Sequence, residues 1–105
     1  MTPGKALLVV RAEVPEADRA AFDRWYQDEH LPEAHAAFGS EAAWRGWSAV
    51  DPALHYAFYR FADRAQAEAV TRSPAIAGMI AEFDRRWAGR VVRTREVIAA
   101  AQVLP

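Results

Sequence analysis

The chain contains no cysteine, so it can build neither a disulfide framework nor a thiolate metal site, and it has no thiol nucleophile. That absence fits a reducing compartment, and the cytoplasm is the location expected. Charge of one sign is also missing: 13 Lys and Arg stand against 14 Asp and Glu, a formal net charge of -1. Without surplus basic charge, counterion release cannot drive binding to nucleic acid, and no nucleic-acid partner is expected. Long apolar runs are absent as well. The opening MTPGKALLVVRAEV has only a few consecutive apolar residues and no small-residue cleavage site, which argues against a signal peptide and a membrane span. Histidine is scarce. His30 and His35 lie five apart, on different faces of a helix rather than at the i, i+4 spacing of a zinc helix, so no metal site is expected. Ser40, Ser48 and Ser73 sit in no nucleophile-elbow motif.

What remains is an ordinary globular composition, 52% hydrophobic and 26% charged, in 105 residues, enough for one domain with one core. Residues 5–14, rich in Leu and Val and closed by Pro15, read as a first strand. Glu16, Ala17 and Asp18 open a helix with acidic residues at the positive end of its dipole. Ala21, Phe22, Trp25, Tyr26 and Glu29 recur at the three- and four-residue spacings of one buried face, with Asp23, Arg24, Gln27 and Asp28 opposite. Pro32 should break or kink this helix, with a short continuation through Ala37 before Gly39 closes it.

Residues 41–50 read as a second strand, with Gly46 suggesting a bulge or a close backbone approach. Asp51 and Pro52 suit a type I turn into an aromatic third strand, LHYAFYRF, at residues 54–61. Asp63 is placed to cap the next helix, and Ser73 with Pro74 to restart it as cap and first helical residue. Ile76, Met79, Ile80, Phe83 and Trp87 then follow helical spacing until Gly89, and residues 90–103 supply a last strand.

The order β-α-β-β-α-β is the split βαβ arrangement of an α+β, ferredoxin-like domain: one four-stranded antiparallel sheet with the helices on a single face. An antiparallel sheet with one wet face should be polar at every second position. These strands are not. Leu7 and Val9 oppose Leu8 and Val10, and Tyr56 and Phe58 oppose Ala57, Tyr59 and Phe61. The uncovered face calls for a second sheet, and the simplest supplier is an identical subunit packed about a two-fold axis, a homodimer sharing an eight-stranded barrel.

Phe22, Trp25, Tyr26, Glu29, His30, Leu31 and Pro32 resemble the F-x-x-W-x-x-x-H-x-P pattern of EthD-like members of the dimeric α/β-barrel superfamily. The resemblance implies a cavity between sheet and helices. It also implies kinship with small enzymes without cofactors, namely monooxygenases, isomerases and cyclases acting on aromatic or polyketide-like compounds. A haem-handling branch also exists, but its iron-ligating His on the second long helix has no counterpart in residues 63–88. No cofactor is therefore expected.

Within this frame His30 is the candidate proton-transfer group. At a helix C-terminus it could project into a cavity, with the dipole favouring its charged form, or it could simply cap the helix. Glu29, a carboxylate on an apolar face, is its candidate acid/base partner unless it merely pairs with Arg45 or Arg95. Trp25 is a candidate pocket wall, and Tyr26, Arg45, His55 and Tyr59 are candidate orienting groups for a small apolar or aromatic ligand. For the strand residues, core or dimer filling is the competing role. The Met79, Phe83, Trp87 stripe reads as core. Two functions follow: a cofactor-free enzyme acting by acid/base chemistry on an aromatic or polyketide-like compound, or a non-catalytic ligand-binding or structural homodimer.

Overall fold

The computed structural model describes residues 4–105. In chain order its elements are β1 (Ala6–Glu13), a 3-10 turn (Glu16–Asp18), α1 (Arg19–Trp25), a π-helical turn (Tyr26–His30), α2 (Leu31–Phe38), β2 (Ala42–Trp47), β3 (Leu54–Phe61), α3 (Arg64–Val70), α4 (Pro74–Trp87) and β4 (Val92–Ala99). All strand pairs are antiparallel, and the sheet order is β2-β3-β1-β4. This is the ferredoxin-like arrangement the element order called for.

The strand period of two decides which residues meet the helices. On β3, His55, Ala57, Tyr59 and Phe61 are buried, while Leu54, Tyr56, Phe58 and Arg60 on the other face are only half covered. On β1 the helix side carries Ala6, Leu8, Val10 and Ala12. Between sheet and helices lies an aromatic core centred on Phe22, whose ring lies 5.1 to 6.1 Å from those of Trp25, Tyr26, Trp47, His55, Phe83 and Trp87. Several of these pairs are edge-to-face, the geometry that brings a positive ring edge to a negative ring face.

Local chemistry sets most boundaries where the sequence put them. Asp63 Oδ1 accepts from the Gln66 N–H at 2.8 Å and Ser73 Oγ from the Ile76 N–H at 3.3 Å, opening α3 and α4. Asp51 and Pro52 make the β2–β3 turn, closed by the Leu54 N–H on the Asp51 carbonyl at 3.0 Å. Gly39 ends α2 in the left-handed region at φ 64°.

Four expectations change. β2 stops at Trp47 instead of reaching residue 50, because Ser48 Oγ takes the N–H groups of Val50 and Asp51 and curls the chain into its turn. β4 stops at Ala99, short of residue 103, because its partner β1 starts at Ala6, directly opposite. Gly46 forms no bulge: it pairs regularly with Tyr56, and a Cβ there would meet open space.

The fourth change concerns Pro32. Proline removes an N–H and its ring crowds the carbonyl four residues back, here that of Asp28. The helix neither breaks nor kinks; it widens. The Leu31 N–H bonds the Tyr26 carbonyl five residues back, a single π turn, and α2 then continues to Phe38.

Replacing either cap serine or aspartate with alanine, as Ser73→Ala or Asp63→Ala, should cost about 1 kcal/mol each. Urea unfolding should show this as a lower midpoint with an unchanged slope.

Candidate functional site

A straight α-helix would bring Glu29, four residues after Trp25, onto the apolar face, and would carry a residue five positions on about 140° past a full turn. The π turn reverses these assignments. His30 is buried and its ring stacks on that of Trp25, with centroids 4.4 Å apart and planes 20° from parallel. It also meets the Tyr26 ring edge-on at 4.9 Å. Glu29 is turned out to solvent, where its one ionic neighbour among the described residues is Arg86 at 3.9 Å. The expectation that Glu29 shares the aromatic face is thus corrected, and its pairing with Arg45 or Arg95 does not occur. His30 caps nothing, since the helix runs eight residues further to Phe38, and the negative end of the dipole lies at Gly39 instead.

His30 faces a cavity of about 20 Å³ between the sheet and the helices. Its polar lining is His30, Tyr26, Tyr59, Arg93 and Arg95; α2 and α4 supply Phe38, Ile76, Met79, Ile80 and Phe83, and β1 supplies Leu8 and Val10. A space of that size holds about one water. The His30 Nδ1 is buried without a protein partner. Burial first, and then the Arg93 guanidinium, push the imidazole from 6.5 down to about 4, with Glu82 pulling weakly the other way. At neutral pH His30 is an uncharged base, contrary to the expectation that a helix dipole would favour its cation. Burial also pushes the Tyr26 phenol up to about 12, and it raises Tyr59 well above the usual value. Both tyrosines therefore stay protonated as hydrogen-bond donors.

Of the residues singled out in the sequence, His30, Tyr26 and Tyr59 meet at this cavity. Trp25 packs behind His30 and does not reach the lining. Arg45 and the buried His55 form a separate, partly exposed cluster beside it. Arg45 Nη1 donates to Asp23 Oδ1 at 2.9 Å and lies 3.2 Å from His55 Nε2, while Nη2 donates to Gln27 Oε1 at 3.0 Å. Trp47 Nε1 adds a bond to the same Asp23 oxygen at 2.8 Å. Asp23 and Gln27, placed by periodicity on the outer face of α1, thus reach sideways to the edge strand β2. Because a guanidinium can only donate, His55 Nε2 is the acceptor and its proton sits on Nδ1. Burial, then Arg45, push the His55 imidazole down to about 3. His55 touches the cavity only through Tyr26, whose ring centroid is 4.5 Å away.

Sequence reasoning passed over Arg93 and considered Arg95 only as an ion-pair partner for Glu29. The available signal was the R-x-R alternation in β4, which puts both on the same sheet face as Leu8 and Val10.

No family model matches the chain, and no curated protein matches it in sequence. Solved structures do match in shape. A mutant form of SnoaB, a cofactor-independent oxygenase from Streptomyces nogalater, superposes with a TM-score of 0.66 at 16% identity, covering 97% of this chain and 98% of that one. An ethyl tert-butyl ether D (EthD) family protein from Bacillus halodurans C-125 gives 0.71 at 16%, covering 91% and 98%. A Nitrosomonas europaea protein assigned as an antibiotic biosynthesis monooxygenase gives 0.65 at 16%, covering 96% and 94%. The chain shares the ferredoxin-like fold of these structures. At these identities the likeness is one of architecture, so chemistry has to be argued from the residues of this chain. Among the described residues, no group of three His, Asp or Glu side chains comes together as a metal ion would need, and no helix is long and apolar enough to cross a membrane.

The two buried imidazoles make stability depend on pH. Their folded values, about 4 for His30 and about 3 for His55, lie below the ordinary 6.5. The unfolded chain therefore binds more protons, and the stability is complete above pH 6.5 and lost as pH falls through the folded values. Urea midpoints should decline from pH 6.5 to pH 4, with a loss on the order of several kcal/mol. In a His55→Leu variant the decline should be shallower, whatever the absolute stability.

Proposed function

We propose that this protein is a cofactor-free small-molecule enzyme whose His30 acts as a general base on an aromatic or polyketide-like compound bound between the sheet and the helices. The observation that carries the reading is His30 itself: a neutral imidazole with a free Nδ1, held by a Trp25 stack and facing a cavity whose other polar groups are donors. A base of this kind takes a proton from an acidic carbon or hydroxyl, and the Tyr26 and Tyr59 hydroxyls stabilise the oxyanion that develops. Glu29, exposed, has no part in it. Kinship of fold with SnoaB, a cofactor-independent oxygenase, supports the same class of chemistry. Substrate entry requires the cavity to widen, and Met79, half-buried with a flexible thioether side chain, is the side chain that can yield at least cost.

The water-sized cavity favours one competing reading, a non-catalytic binding or structural dimer. Deuterium incorporation into a panel of phenols and 1,3-dicarbonyl compounds in heavy water, followed by proton NMR, decides between the two. The wild type should accelerate exchange for some member, and His30→Gln should slow it by about a hundredfold or more. The rate should be flat above pH 5 and fall as His30 takes a proton near pH 4. No acceleration across the panel, or an unimpaired His30→Gln, ends the catalytic reading.

The working unit is a homodimer in this proposal. The sheet face away from the helices carries Trp44, Phe58 and Tyr56 as a stacked row, with centroid spacings of 5.4 and 6.2 Å and planes within 16° of parallel. Trp44 is 43%, Ile98 44% and Val92 65% exposed, a patch of the kind that monomers rarely leave open. A second copy of the same sheet is its natural cover, being equally apolar and related by a two-fold axis. Sedimentation at micromolar concentration should give twice the 11.7 kDa protomer mass, and Phe58→Glu should give the protomer. A wild-type protomer at that concentration would sink the dimer.

A further inference from the structure

On β4 the positions that face the helices carry Arg93 and Arg95, in register with Ala12 and Val10 of β1. Elsewhere on that side, β1 and β3 present Ala, Leu, Val, His, Tyr and Phe. Two adjacent guanidinium groups in one cavity wall repel each other, and their compensation here is thin. Arg93, its side chain 12% exposed, lies over the Phe83 ring at 3.9 Å and reaches Asp84 Oδ1 at 3.4 Å. Asp84 itself is more than half exposed. Arg95 has no acidic partner among the described residues.

The lining shows the same imbalance. No carboxylate borders the cavity: its polar groups are two guanidiniums, two phenol hydroxyls and one imidazole. Arg95 is exposed as well as part of the lining. An inward charge on an edge strand also discourages sheet-to-sheet aggregation. That duty is met by an exposed charge and does not require the burial of Arg93 over Phe83.

We propose that Arg93 and Arg95 bind the carboxylate of the cavity's ligand, which is accordingly an aromatic or conjugated acid and not a neutral compound. The guanidinium fork matches a carboxylate in shape and carries donors that the protein leaves free. The carboxylate would sit at the mouth on Arg95, and the apolar body would reach inward between Phe38 and Met79 toward His30. This assignment rests on the reading of the cavity as a ligand site and adds the sign of the ligand's charge.

Isothermal titration calorimetry with 1-naphthoate and its neutral isostere 1-naphthamide tests it. The wild type should bind the acid at least tenfold tighter, because hydrogen bonds to charged groups contribute more than neutral ones, and the gap should narrow in high salt. Arg95→Gln should erase the preference while leaving naphthamide affinity unchanged, and Arg95→Lys should restore part of it. Arg95 is exposed, so its replacement spares the core; Arg93→Gln, checked by circular dichroism for folding, should act in the same direction. Equal affinity for acid and amide in the wild type overturns the anion assignment and leaves the ligand site standing, as does undiminished naphthoate binding by Arg95→Gln. Binding of neither compound overturns both.

Discussion

One missing N–H governs the geometry of the site. Pro32 cannot donate to the Asp28 carbonyl, and its ring would press on it, so the helix takes an extra residue into one turn and the Leu31 N–H bonds Tyr26 instead. The consequence is a change of side-chain register. Ahead of the turn the apolar face is Phe22, Trp25 and Tyr26; after it, His30 and Ala34 continue that face, and Glu29 swings outward. Without the extra residue the buried position would fall to a carboxylate, whose desolvation the apolar surroundings could not offset. The wide turn thus selects a neutral base over an acid for the interior.

That selection is stable because the rings around it leave little freedom. Phe22 sits among six other aromatic rings, and the stack of Trp25 on His30 fixes the imidazole plane. Close packing of this kind allows few rotamers. The Arg45, Asp23, Gln27, Trp47 and His55 cluster anchors the same helix to β2 through hydrogen bonds that α1 could not satisfy internally. It backs Tyr26 from behind, with the Arg45 guanidinium 5.9 Å and the His55 ring 4.5 Å from the Tyr26 ring. The half-buried Arg45 guanidinium joins acid, amide and imidazole partners from α1, the π turn and β3, and such shared hydrogen bonds favour one arrangement of the elements they join.

The two sheet faces divide the protein's tasks. Toward the helices, the residues of β1 and β3 build the core, and β4 adds the cationic wall of the cavity. Away from the helices, Leu7, Val9, Trp44, Tyr56 and Phe58 form an apolar surface that the chain's own helices cannot reach. Antiparallel sheets tolerate a wet face only when that face is polar. The same alternation of side chains therefore supplies a buried interior on one side and an apolar outer surface on the other from strands of eight residues or fewer.

Much of this was legible in the order of residues. Short-range rules suffice for caps and turns, so Asp63, Ser73, Gly39 and the Asp51-Pro52 turn declared their places, as did the period-two strands and the helical stripe through Phe83 and Trp87. The grease on both faces of β1 and β3 was equally visible, since it needs only counting. Local spacing could not reveal that Pro32 would widen the helix and leave it unbroken, because that depends on whether the surrounding core rewards a continuous rod. Which histidine or carboxylate lies inside followed from that choice. The gathering of Arg93 and Arg95 with His30 depended on β4 pairing beside β1, across more than sixty residues of chain. Sequence determined the elements and their periodicities, since these are set by neighbours within a few residues; tertiary structure decided the register of His30 and the charge of its cavity, since these are set by residues far apart in the chain competing for one apolar space.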